Sequence, residues 1–152
     1  MPKEDIKDLK KFLTPFPAEV QKTALWLREF VWEMFPESNE LIYDNYNALA
    51  FGFSLSDKLG DTFCGVAVYA KHVNFGFNRG SEIADPKKLL TGQGSQYRYL
   101  PVPDVKTFPA EEVAKLLNDA YTNALSRYKP GKVVFKGHTI TKSISPKKRR
   151  PV

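Results

Sequence analysis

Asn47-Ala48-Leu49-Ala50-Phe51-Gly52-Phe53-Ser54-Leu55 is the stretch that decides the fold. Leu49, Phe51, Phe53 and Leu55 alternate with Ala48, Ala50, Gly52 and Ser54. A period of two places the large apolar side chains on one face of a strand and the small ones on the other. Two similar runs follow after short punctuation. Asp57 to Asp61, which includes Gly60, reads as a turn, and Phe63 to Ala70 as a second strand. Lys71-His72 turns the chain again, and Val73, Phe75 and Phe77 alternate with Asn74, Gly76 and Asn78 in a third strand. Gln96 to Val102 reads as a fourth, with Pro101 and Pro103 ending it early or placing it on an edge. These connections are too short for the parallel crossover of about a dozen residues, so the sheet is expected to be mostly antiparallel.

Helical periodicity flanks this β run on both sides. Ile6, Leu9 and Leu13 predict a short amphipathic helix stopped by Thr14-Pro15. Val20, Ala24, Leu27, Val31 and Met34, broadened by Trp26 and Phe30, predict a second that Pro36 ends. Asn39 to Tyr46 is short and mixed and reads as one more helical turn, as does the segment from Asp85-Pro86 to Leu90. Val113, Leu116, Leu117, Ala120, Tyr121, Ala124 and Tyr128 mark the last helix, which Pro130-Gly131 stops. Helices segregated to the chain ends predict an α+β two-layer sandwich. Its mostly antiparallel sheet would have about four or five strands, with the N-terminal and C-terminal helices on one face.

The chain has 152 residues and a formal charge of +6, which fits one domain. The charge is unevenly placed. Residues 131–152 hold seven basic residues and no acidic one, which leaves 16 basic against 17 acidic residues in positions 1–130, a net of −1. The reading is therefore a single domain over 1–130 and a basic C-terminal extension over 131–152. Val133, Val134, Phe135, Ile140 and Ile144 are too apolar for simple disorder, and suggest an added edge strand or strap. A lone cysteine, Cys64, excludes an intramolecular disulfide, and its apolar neighbours make it a small core residue. No apolar run approaches the ~20 residues of a membrane span. Met1 to Lys11 alternates charges and has no apolar signal core. A soluble, cytoplasmic protein is the expectation.

The sequence holds no catalytic constellation. There is no Gly-x-Ser-x-Gly elbow, and the two histidines, His72 and His138, are far from each other and from Cys64. That spacing fits no soft-metal site. Three surfaces are left as candidates. In the first, Gly92 and Gly94 allow close backbone approach, and Arg98 offers a planar fork for an anion. The same residues also suit a turn that needs left-handed glycines. The second is the small-residue sheet face of Ala48, Ala50, Gly52, Asn74 and Gly76, rimmed by Tyr43, Tyr46, Tyr69 and Arg98. It is either a ligand or partner groove or the seat of a closely packed helix. The third is the cluster Lys147, Lys148, Arg149 and Arg150, suited to nucleic acid, an acidic partner or nuclear import, or simply to solubility.

Several motifs together resemble a known family. Phe35-Pro36-Glu37, Glu40-Leu41-Ile42-Tyr43 and Asn47-Ala48-Leu49-Ala50-Phe51 resemble the start of the YdhG-like domains of unknown function. Tyr69-Ala70-Lys71-His72-Val73-Asn74-Phe75-Gly76-Phe77 is similar to their central hairpin. Asp85-Pro86-Lys87-Lys88-Leu89-Leu90-Thr91-Gly92-Gln93-Gly94 with Tyr97-Arg98 is similar to their late signature. The resemblance covers about residues 18–128 and departs at Asp44-Asn45-Tyr46, where the family tends to a shorter link. It implies a small α+β fold with a frataxin-like outline and, for some members, an intracellular iron-chaperone role. Frataxin-type iron binding uses an acidic ridge. The residues here that helical spacing would bring together for iron are Glu29 and Glu33, interleaved with Lys22 and Arg28.

The functional expectation is a non-enzymatic module that binds a small ligand or partner through Tyr46, Asn74, Gly92, Gly94 and Arg98, with no cofactor. The alternatives are iron handling and a nucleic-acid or acidic-partner adaptor acting through the tail.

Overall fold

The computed structural model describes residues 7–130 and 136–148. Two helices open the chain, α1 (Lys7–Leu13) and α2 (Ala18–Met34). Five strands follow, β1 (Asn39–Asp44), β2 (Leu49–Ser54), β3 (Thr62–Val68), β4 (Val73–Phe77) and β5 (Arg98–Pro101). Then come α3 (Ala110–Arg127) and β6 (Thr139–Ile144). The fold is α+β. Among the described residues its sheet has six strands in the order β5-β4-β3-β2-β1-β6, antiparallel throughout except for the parallel pair β1–β6.

The period-two reading of β2 is realised in the register. Leu49, Phe51 and Phe53 pair with Val68, Val66 and Cys64 of β3, and Val66 and Val68 with Phe75 and Val73 of β4. All of these residues are buried. The helices lie against this face. Trp32 of α2 meets Phe53 edge-on at 5.7 Å, and Phe108, just before α3, meets Phe75 at 6.1 Å. Leu9 and Leu13 of α1, Ala24, Leu27 and Val31 of α2, and Val113, Leu116 and Leu117 of α3 complete the core. Burying side chains of this size contributes about 1.5–3 kcal/mol each before conformational entropy is charged against it.

Two expectations need correction. Asn39 to Asp44 is a strand, not a helical turn, and with β6 it raises the count from four or five strands to six. The reason lies in an inverted pattern. Ile42 pairs with Phe51 of the core face, so Glu40 and Asp44, two residues to either side, also face the helices. Both acids are buried there. Arg28 of α2 donates to Glu40 at 2.8 Å, and the Thr139 hydroxyl of β6 donates to the other Glu40 oxygen at 3.1 Å. Lys148 lies 3.4 Å from the Asp44 carboxylate. Burial pushes the Glu40 carboxyl above its ordinary range, against the pull of Arg28. A strand carrying two acids inward is unreadable by alternation, because its partners arrive from residues 28 and 139–148.

The second correction concerns residues 85–90, which form a turn and no helix. The Asp85 carboxylate accepts from the backbone N–H groups of Leu89 and Leu90 and closes it. The tail also contributes to the fold. Ile140 and Ile144 belong to β6, so the sheet continues past residue 130, while Val133, Val134 and Phe135 lie outside the described residues. β5 occupies the other edge and stops at Pro101, as its prolines required.

Candidate functional site

The face of the sheet away from the helices is lined by what alternation left over. Its central row runs Ile140, Leu41, Gly52, Gly65, Gly76 and Tyr99 from β6 to β5. The adjacent row runs Tyr43, Ala50, Ala67, Asn74 and Pro101. Three paired glycines in line strip the backbone of β2, β3 and β4 bare. The result is a lane one residue wide, edged by alanines. The helix that could have packed on these small residues is absent among the described elements, since all three helices contact the other face.

One end of the lane is already filled. The Tyr97 ring lies over Gly76, with its hydroxyl where a Cβ at residue 76 would stand. Tyr99 stacks beside Tyr97 at 6.0 Å. Burial of the hydroxyl end, with Tyr69 and Tyr99 nearby, raises the Tyr97 pKa to about 12, although the residue as a whole is 43% exposed. The rest of the lane is an open-topped concavity of about 110 Å³ over Gly52 and Gly65, walled by Tyr43 and Tyr97. Burial also raises the Tyr43 phenol.

Thr62 lines this concavity and is only 7% exposed. A β-bulge places it there. Phe53 pairs with Cys64, but Ser54 pairs with Thr62, so β3 carries one extra residue. That bulge sends Phe63 to the helix side, where it meets Phe35 and Tyr121, and turns Thr62 onto the lane above Gly52. The Thr62 hydroxyl has no hydrogen-bond partner.

The other candidates from the sequence are scattered around this face. Asn74 lies on it, in the row beside the lane, between Ala67 and Pro101. Tyr46 sits in the β1–β2 turn, 48% exposed and away from the concavity. Tyr69 stacks on His72 at 4.6 Å in the β3–β4 hairpin.

The glycine loop has a structural role. Gly92 takes φ +141, a value that L side chains rarely adopt, and Arg98 donates to the carbonyls of Gly94 and Tyr97 at 2.6 and 2.7 Å. The Arg98 stem packs on Gly80. Its fork therefore holds the loop that carries Tyr97.

Glu29 and Glu33 are one turn apart on α2. Among the described residues no third acidic, histidine or cysteine side chain joins them in a metal-sized group. In the tail, Lys147 is exposed, whereas Lys148 is only 11% exposed, against Asp44, and also donates to the Ser145 carbonyl. Arg149 and Arg150 lie outside the described residues. Cys64 is fully buried and burial pushes its thiol up, the behaviour of an inert core residue.

Sequence reading found the lane floor in Ala50, Gly52 and Gly76 and the wall residue Tyr43. It missed Gly65, Tyr97 and Thr62. Thr62 was hidden by the bulge.

No helix among the described residues is long and apolar enough to cross a membrane. Comparison with family models, curated proteins and solved structures gives no match.

Proposed function

We propose that this chain is a non-enzymatic binding module, and that the open sheet face is its binding surface. The observation that carries this reading is the unfilled part of the glycine lane. It is concave, uncovered by any described helix, walled by two tyrosines and lined by Thr62, whose methyl stands over Gly52. Small-molecule sites are typically concave and largely apolar, with few polar groups to fix orientation. The polar side chains that line the concavity are the Tyr43 and Tyr97 phenols, the Asn78 amide and Thr62.

A YdhG-like affiliation, with its iron-chaperone alternative, rests on the sequence motifs together with Glu29 and Glu33. An adaptor role through the tail rests on Lys147 and on residues beyond Lys148.

The test is a fragment screen by saturation-transfer NMR on the wild-type chain and on Ala67→Trp, which drops an indole into the lane from a half-buried position. Hits should be lost in Ala67→Trp and retained in Glu29→Ala/Glu33→Ala and in a chain ending at residue 144. Hits that bind Ala67→Trp undiminished, with its melting temperature intact, overturn the assignment.

A further inference from the structure

We infer that β6 is an exchangeable strand. The β1 edge that holds it accepts the same segment from a second copy of the chain, and two copies pair by trading residues 136–148.

The two edges of the sheet are secured differently. β5 sends Leu100 into the core, and Val102 follows it there. None of the six residues of β6 belongs to that core, and Ile144 at its end is 59% exposed. The side chains of β6 are half-buried or exposed throughout. β6 can therefore leave β1 without opening the packing between sheet and helices.

Main-chain bonds and polar side chains hold it instead. The ladder with β1 runs from Glu40 and Thr139 to Asp44 and Ile144. The His138 N–H donates to the Asn39 side-chain oxygen at 2.9 Å, and the Ser145 N–H donates to the Asp44 carbonyl at 2.8 Å, so both ends are pinned. Glu40 and Asp8 accept from the Thr139 and Thr141 hydroxyls at 3.1 and 3.0 Å. Glu37 and Asp44 lie 3.7 and 3.4 Å from Lys136 and Lys148.

The four carboxylates all come from residues 8–44, and the groups they hold all come from 136–148. That division follows the charge split of the chain, −1 over residues 1–130 and +7 beyond. An edge of this composition selects an extended segment with two hydroxyls on alternate residues, flanked by lysines. Like charges across the same ladder would repel, so acidic segments are turned away.

A second copy carries that segment by construction. The closed and the traded arrangements make the same bonds, so they differ only in tether and association terms. Exchange of an identical element is for that reason an easy route to a two-fold dimer. A β1 edge without β6 presents unpaired N–H and C=O groups, a template for another strand. Residues 128–138 separate α3 from β6, a tether that reaches about 36 Å at ~3.3 Å per residue.

The experiment mixes two full-length variants, Tyr43→Cys and Ser143→Cys, whose positions are partners in the β1–β6 register. Neighbouring strands stand ~4.8 Å apart, within disulfide reach. Cys64 is buried and stays out of the reaction. The mixture is incubated, oxidised, alkylated and run under denaturing, non-reducing conditions. Tyr43→Cys mixed with Lys129→Cys gives the collision baseline. A short flexible tether holds its tail at an effective concentration of the order of 1 mM, so heterodimer should sit at the baseline with about 10 µM protein and at least about fivefold above it with about 1 mM. The single chain Tyr43→Cys/Ser143→Cys should close to a monomeric disulfide at the lower concentration, which shows the pair in reach and the fold intact. Heterodimer no higher than the baseline at the upper concentration overturns the inference. Failure of the double variant to bridge within itself removes the β1–β6 pairing and overturns it as well.

Discussion

The two faces of the central strands are made by the same residues in alternation and end with opposite properties. On β2, Leu49, Phe51 and Phe53 draw three helices over themselves. Ala50 and Gly52, between them, leave the reverse side bare. The first face is closed because apolar area is worth covering. On the second, glycine and alanine offer little area to cover, no described helix lies over it, and the Tyr97 ring rests on Gly76. A surface can thus be kept uncovered by composition alone, with no lid or gap needed to explain it. β1 sharpens the contrast by inverting it, with acids on the helix side and Leu41 and Tyr43 on the reverse, where Leu41 is nevertheless fully buried.

If the covered face supplies the cohesion, truncation there is severe and truncation opposite is mild. Phe51→Ala should lose about 3–5 kcal/mol in urea denaturation, since it leaves a cavity in the buried core. Tyr43→Ala, on the open face, should lose about 1 kcal/mol or less. Comparable losses would dissolve the distinction between the faces.

The inverted strand gives the next test. Glu40→Gln leaves the buried Arg28 charge uncompensated and should cost about 3–5 kcal/mol. Arg28→Met/Glu40→Leu should cost clearly less than the two single changes summed, because it removes both charges together. The pH dependence follows from the raised Glu40 carboxyl. The folded chain holds this proton where the unfolded chain has released it. The contribution of Glu40 to stability therefore falls as pH climbs from the ordinary glutamate range through the higher folded value. Denaturation across that range should show this slope in the wild type and lose it in Glu40→Gln.

The smallest effect belongs to the open face. A tyrosine titration followed by ultraviolet absorbance should show one phenol ionising near pH 12, and Tyr97→Phe should remove that phase. Between the ordinary tyrosine value and 12 the folded state keeps a proton that the unfolded state loses, so stability drops over this interval. A Tyr97 that titrates with the exposed phenols would mean that its hydroxyl is not seated on Gly76.

Much of this architecture can be read from local pattern. β2, β3 and β4 announce themselves by alternation, α2 and α3 by helical stripes, and their stops by Pro36 and Pro130. What local pattern misses depends on residues distant in sequence. β1 is a strand because Arg28 and Thr139 satisfy Glu40, and β6 is a strand because β1 offers it an edge. For the site, the small residues Ala50, Gly52 and Gly76 were legible, and so was Tyr43 of the expected rim, whereas Tyr46, Tyr69 and Arg98 do not line the concavity and its second wall is Tyr97. Thr62 was not, because a single extra residue in β3 reverses the face it would otherwise occupy. Arg98 had the chemistry of an anion fork, but its partners turned out to be the carbonyls of its own loop.

The most direct measurement is an amide chemical-shift map of the wild-type chain with the tightest fragment from the screen. The account predicts shifts concentrated on Gly52, Gly65 and Gly76, with α2 and the 136–148 segment silent. Shifts concentrated on Glu29 and Glu33, or on Lys147 and its neighbours, with the glycine lane unmoved, would contradict it.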